Sequence, residues 1–257
     1  RALAALAGRD LAQLTAGDIG FGLAPRLNAA GRLEDMALGI ECLLCDDPSR
    51  AHELATVLDR INGERKELQQ QMVDEAEALV SAVPLDAGAL PAALCLFDPA
   101  WHPGVVGLVA SRLKDRMHRP VFAFAPAEPG SDELKGSARS IPGLHIRDAL
   151  AAVDARHPGL IGRFGGHAMA AGLSLPAAQF ERFREALQRE VAAMLTPEQL
   201  QSELHSDGEL GVDELGRPLA EQLRLAGPWG QGFPEPVFDG VFKVLQAKPV
   251  AARHLKL

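Results

Sequence analysis

Residues 92–126 read "AALCLFDPAWHPGVVGLVASRLKDRMHRPVFAFAP". Within this stretch the hydrophobic pattern changes period twice. "AALCLF" (92–97) is a short continuous apolar run, "GVVGLVASRLKDR" (104–116) spaces its apolar residues by three and four, and "RPVFAFAP" (119–126) is apolar throughout again. Strand, amphipathic helix and strand in succession predict an α/β domain. The alternation continues downstream. "LKGSARS" (134–140) predicts a third, polar strand, "HIRDALAAV" a helix, and "PAAQFERFREALQREVAAML" (176–195) a strongly amphipathic helix.

Upstream, residues 1–47 read as short helices joined by tight connections. A start signal follows: in "DDPSRAHELA", Asp47 caps while Pro48 takes the first helical position, where its missing N–H is not needed. Apolar residues then recur every three or four positions as far as Val83, which predicts a helix about 50 Å long at 1.5 Å per residue. That length exceeds the width of a small domain and marks a connector between two bodies, with "GERKELQQQ" as its solvated face. Pro84 and the turn-like "LDAGALP" (85–91) end it. From Thr196 the pattern shifts again: "SELHSDGEL" alternates like a strand, "VDELGRPLAEQLRL" is helical, "GPWGQGFPEP" is a rigid loop, and "VFDGVFKVLQAKPV" and "ARHLKL" predict β segments. A chain that starts at Arg1 and stops on an unfinished strand reads as a piece of a longer protein, since a lone strand is not a domain.

The chain has 257 residues, a formal net charge of −8 and no apolar run near the length of a membrane span. With no secretory leader pattern in "RALAALAGRD" and only three cysteines, the expectation is a soluble, cytoplasmic protein in a reducing compartment, with no membrane partner. Cys42 and Cys45 form a C-x-x-C without a second His/Cys pair, and their spacing fits one face of a buried helix better than zinc. The charge is uneven. Residues 101–175 hold nine Lys/Arg against six Asp/Glu, and five of the eight histidines. An acidic chain with one basic segment points to a confined anion site rather than a broad basic surface.

Four local patterns in the chain suit an anion. In "KGSARS", Ser137 and Arg139 fall on one face of a strand and Ser140 on the other, and a hydroxyl beside a guanidinium fork suits phosphate; a solvated edge strand explains them equally well. In "WHPGVVGLVASRL", His102 opens a helix whose first N–H groups lack partners, or is a simple cap. In "APRLNAAGRL", Arg26 and Arg32 clamp a phosphate or pair with Glu34 and Asp35. In "GRFGGHAMAAGLSL" (162–175), main-chain N–H groups at Gly165 and Gly166 suit an anion-binding nest beside His167, with a histidine satisfied in a core as the alternative. The sequence has no G-x-x-x-x-G-K, no H-E-x-x-H, no nucleophile elbow and no Asp/His cluster for a two-metal site.

In order, "APRLNAAGRL", "WHPGVVGLVASRL", "RPVFAFAP", "KGSARSIPGLHIRDAL", "GRFGGHAMAAGLSL" and "GPWGQGFPEPVFDG" resemble the C-terminal portion of the RecJ family of single-stranded-DNA-specific exonucleases, within the DHH phosphoesterase superfamily. The resemblance covers essentially the whole chain. It implies the tail of a DHH catalytic domain (1–47), a linking helix (48–83), a DHH-associated α/β domain (84–195) and the start of an oligonucleotide-binding, OB-like β domain (196–257). It also implies 5′-to-3′ degradation of single-stranded DNA in repair and recombination, with Mn²⁺ or Mg²⁺ held upstream and no metal ligands in this chain. The implied partners are a single strand with a 5′ end, a single-stranded-DNA-binding protein and a helicase. By the same resemblance Gly165, Gly166 and the catalytic His167 meet the reacting phosphate, Ser137 and Arg139 hold the 5′ phosphate, and Arg26, Arg32 and His102 line the substrate. Two other functions stay open: a phosphodiesterase on short oligonucleotides or cyclic dinucleotides, and a non-catalytic binding module. With no tyrosine and two tryptophans, base stacking by this chain alone is sparse.

Overall fold

The computed structural model describes residues 1–81, 90–230, 232–250 and 254–257; the expected turn at 85–91 lies largely outside them. Two compact units emerge, one of residues 1–14 and 18–202, the other of residues 15–17 and 203–257.

The first unit starts with helices α1 (Ala2–Leu6), α2 (Ala24–Leu33) and α3 (Ala37–Leu44). They pack on the first half of α4 (Pro48–Ser81), around Leu54, Ala55 and Leu58. The cap expected at Asp47 is present: its Oδ1 accepts the Ser49 N–H at 2.8 Å and the Arg50 N–H at 3.4 Å. In the second half of α4, Met72, Ala76 and Val80 enter a different core. The 34-residue helix thus joins two cores and is buried along one stripe at both. Cys42 is buried in α3, while Cys45, which ends that helix, is only half-buried.

The second core belongs to a mixed five-stranded sheet of order β1-β2-β3-β5-β4, formed by β1 (Leu94–Phe97), β2 (Val121–Pro126), β3 (Glu133–Arg139), β4 (Arg163–Gly166) and β5 (Ala170–Pro176). β1 and β2 are parallel, joined through α5 (Val106–Met117), and the other pairings are antiparallel. Every residue of β2 is buried, because each face of this interior strand is covered. Val121, Ala123 and Ala125 face α5 and α4. Phe122 and Phe124 face the other way, edge-on to Phe183 of α7 (Phe180–Met194), in the core shared with α6 (Ile146–Arg156).

The second face is thus covered by α6 and α7, whereas α5 covers only the β2–β3 part of the first. Beyond α5, the first-face residues of β4 and β5 and the loop joining them stay open to solvent, with Gly165, His167 and Gly172 all exposed. That bare half-sheet is where the polar motifs fall.

The second unit carries α8 (Arg217–Ala226) and the short antiparallel pair β6 (Lys248–Val250) and β7 (His254–Lys256). The strands expected at 202–210 and over most of 237–250 are not regular. Asp207 donates its N–H to the Val237 carbonyl at 2.7 Å, but the return bond from the Val237 N–H goes to the Asp207 side chain at 2.9 Å instead of a backbone carbonyl. Gly208, at φ +102°, then turns the chain out of strand geometry. Val241 and Leu245 are left 98% and 89% exposed.

Gly136 shows how tightly the sheet is packed on its covered face. A Cβ there would lie 2.4 Å from the Phe124 ring and 2.8 Å from the Leu173 side chain. Gly136→Ala is therefore expected to lower stability by about 1–3 kcal/mol through overpacking, measurable as a reduced midpoint in a urea titration.

Candidate nucleic-acid interface

Ser137 and Arg139 lie on the α5 face of β3, opposite Ala123 and Val121 in the register. Ser140 points away, buried, with its hydroxyl donating to the Leu144 carbonyl at 2.7 Å. The two polar side chains meet the first turn of α5 at Gly107, where a Cβ would lie 2.9 Å from Ser137 Oγ and 3.1 Å from Arg139 Nη2. Only a residue without a side chain lets a hydroxyl and a guanidinium close on the start of this helix. The free N–H groups expected there are not found: those of Gly104, Val105 and Val106 are taken by His102 and that of Leu108 by the Val105 carbonyl, so the anion-attracting groups at this place are the side chains.

Arg32, at the end of α2, reaches the same place. Its Nη1 donates to the Gly104 carbonyl at 3.2 Å, and a Cβ on Gly104 would come within 2.1 Å of the Arg32 carbonyl oxygen. Two further arginines complete the group. Burial, and then the charges of Arg32 and Arg112, pull the Arg65 guanidinium below its ordinary pKa. Burial and then Arg32 do the same to Arg139. Arg32 is thus close to both Arg65 and Arg139, and Arg112 is close to Arg65; among the described residues none of the four forms an ion pair. Their hydrogen bonds go to neutral acceptors: Arg65 to Asn62 Oδ1 at 2.9 Å and Gln69 Oε1 at 2.6 Å, Arg139 to the Ala138 carbonyl at 2.8 Å. Arg65 Nε is buried without any partner.

His102 ends up as a cap beside this cluster. Its Nδ1 accepts the Gly104 N–H at 3.1 Å, and its carbonyl accepts the Val105 N–H at 3.0 Å. Arg26 is engaged elsewhere, in an ion pair with Asp59 at 2.7 Å and a bond to the Gly22 carbonyl, so the structure does not bring it to the cluster.

The glycine–histidine segment is a hairpin rather than a nest. The His167 N–H donates to the Ala170 carbonyl at 2.8 Å, closing the β4–β5 connection, so that donor is not free for an anion. Gly166 alone of the two glycines has positive φ, at +147°, and a Cβ there would strike Ala170 O and Ala171 Cα. Arg139 pairs with Ala170, and β4 runs on to His167 opposite the same residue. Cross-strand partners share a face, so Arg139, Ala170 and His167 form one row across the bare half-sheet. With strands about 4.8 Å apart, the two ends of that row are about 10 Å from each other.

Arg65 and Arg112 escaped the sequence reading. Arg65 carried a signal: Leu58, Ile61, Arg65, Leu68 and Met72 keep a spacing of three and four, which puts a cation on the buried stripe of α4. For Arg112, exposed on α5, the sequence offers no such signal. Among the described residues, no group of three or more His, Cys, Asp or Glu is placed to hold a metal ion; the donors here suit an anion, not a divalent cation.

Residues 86–193 match the DHHA1 domain and residues 206–257 the RecJ OB domain. The whole chain is 53% identical to the single-stranded-DNA-specific exonuclease RecJ of Dickeya dadantii and 51% identical to that of Escherichia coli K12, spanning 44% of the length of each. Its fold superposes on crystal structures of RecJ from Thermus thermophilus with Mg²⁺ or Mn²⁺ at a TM-score of 0.76 and 33% identity, over 92% of this chain and 34% and 33% of theirs. The chain therefore carries a DHHA1 domain followed by a RecJ OB domain, and it is similar to RecJ exonucleases along its entire length.

Proposed function

We propose that this chain is the strand-gripping part of a 5′-to-3′ single-stranded-DNA exonuclease, which hydrolyses phosphodiester bonds with Mn²⁺ or Mg²⁺ bound by residues outside it. The observation that carries the reading is a chain of four un-neutralised arginines linked through Arg32 and Arg65, with Arg139 beside Ser137 on the sheet face that bears His167. Polyanion binding explains such a cluster, because phosphate oxygens accept from guanidinium and hydroxyl groups together. In this reading Arg139 and Ser137 hold the terminal 5′ phosphate, with Arg32, Arg65 and Arg112 supplying the surrounding positive field. His167, at the other end of the row, contacts the reacting phosphodiester, and Gly165 and Gly166 let the strand come close to the backbone. His102 fixes the loop that presents Gly104 to Arg32. The described residues do not compose a metal centre, so no metal-dependent step is assigned to them. From the resemblance alone, the protein works in the cytoplasm in DNA repair and recombination, with single-stranded-DNA-binding protein and a helicase as partners.

Three measurements test this. The isolated chain, incubated with labelled single-stranded DNA and Mn²⁺, is expected to release no nucleotides; steady release of mononucleotides would refute the division of labour. In the full-length protein, Arg139→Ala should erase the preference for a 5′-phosphorylated over a 5′-hydroxyl end, a loss of about 1.5–3 kcal/mol for one charged hydrogen bond. Unchanged discrimination would remove the terminal-phosphate role. Inorganic phosphate should raise the melting temperature of the wild type by binding the folded form, and raise that of Arg139→Ala less.

A further inference from the structure

The bare half-sheet continues past the Ser137–Arg139 end in the opposite direction along the strands. There Glu133, Lys135, Arg163, Ser174 and the facing pair Gly165–Gly172, with Phe164 and Leu173 of the same strands, line a shallow depression of about 490 Å³. Lys135 is directly opposite Ser174 on one side, and Arg163 opposite it on the other, so the two cations flank a hydroxyl across three strands. Among the described residues neither cation forms an ion pair. Both belong to the face that carries Arg139 and His167, as strand alternation requires.

The two glycines at the centre are unlike the others of this sheet. Gly136 and Gly166 are required by the fold, one by packing and the other by its backbone angle. At Gly165 an added Cβ would meet nothing within 4 Å, and at Gly172 only the Gly136 carbonyl oxygen at 3.9 Å. Neither has positive φ. Glycine weakens a strand interior, and nothing inside the chain requires it at these two positions. A ligand lying directly on the backbone would account for both.

We propose that this end of the sheet is a second phosphate site for single-stranded nucleic acid: Lys135 and Arg163 grip a backbone phosphodiester, Ser174 donates to it, and Gly165–Gly172 let the sugar–phosphate chain lie flush on the sheet. The inference rests on the reading that the strand follows this face. Four residues along β3 separate Lys135 from Arg139, about 13 Å at 3.3 Å per residue. The two sites therefore hold different phosphates of one strand. The one aromatic residue lining the depression, Phe164, packs against the core on the opposite face, so the contact is with the backbone and is indifferent to base sequence.

The test uses the full-length protein and a 5′-phosphorylated oligothymidylate without divalent metal. Lys135→Ala/Arg163→Ala should weaken binding roughly tenfold or more and reduce the slope of log affinity against log salt by about 0.7 for each phosphate no longer held, while the preference for a 5′-phosphorylated end persists. Gly172→Ala should leave the melting temperature at or above that of the wild type and still weaken binding. Wild-type affinity and salt slope in both variants would overturn the second site. The terminal-phosphate reading would then stand or fall separately, on Arg139→Ala.

Discussion

Like charges held together without counter-charge govern this structure. Arg32, Arg65, Arg112 and Arg139 come from three helices and a strand, and the partial burial of Arg65 and Arg139 strengthens their mutual repulsion because less water screens it. The hydrogen bonds they make go to a main-chain carbonyl at Gly104, another at Ala138 and the amide oxygens of Asn62 and Gln69. Such acceptors satisfy donors and fix orientation while leaving the charge uncancelled. A carboxylate in their place would have stabilised the free protein and closed the site to phosphate.

Holding that arrangement requires rigid support from apolar packing. The helical core around Leu54 and Leu58 seats α2, and with it Arg32. The core around Met72, Val109 and Leu113 fixes α4 against α5 and so sets Arg65 and Arg112. The phenylalanine cluster beneath the sheet fixes β3 from the other side. Gly104 and Gly107 are points of close approach: a side chain at Gly104 would strike the Arg32 carbonyl of α2, and one at Gly107 would displace the Ser137 hydroxyl and the Arg139 guanidinium. The long helix α4 is therefore more than a spacer: its middle turn delivers a charge to the junction of the two cores.

Much of the first unit was legible because its signals are local. Period changes located β1, α5 and β2; a cap and a proline located the start of α4; alternation put Ser137 and Arg139 on one face and Ser140 on the other. What was not legible depends on elements meeting. Arg26 and Arg32 are alike in sequence, yet only the approach of Asp59 on α4 engages one and leaves the other for the cluster. Arg65 occupies a stripe position, but which element would face it is a property of the fold. The hairpin at His167 also followed from pairing: once Ala170 takes the His167 N–H, a nest at this position has lost a donor. In the second unit, alternation predicted longer strands than form: beyond β6 and β7, the segments around Asp207 and Val237 exchange only isolated backbone bonds, because period alone does not supply a full-length neighbour.

The net charge of −8 sharpens the role of the basic row. A polyanion is repelled by most of such a surface and attracted where the arginines lie, so the field itself guides a strand onto one track. Along that track the sheet contributes a floor lined by cations, hydroxyls, a histidine, the small Ala170 and glycines, with Glu133 at one end. Under the proposed function, a face built this way would distinguish a flexible single strand, whose backbone can be pressed against it, from a duplex whose phosphates keep their own helical spacing, with no base contact from this unit.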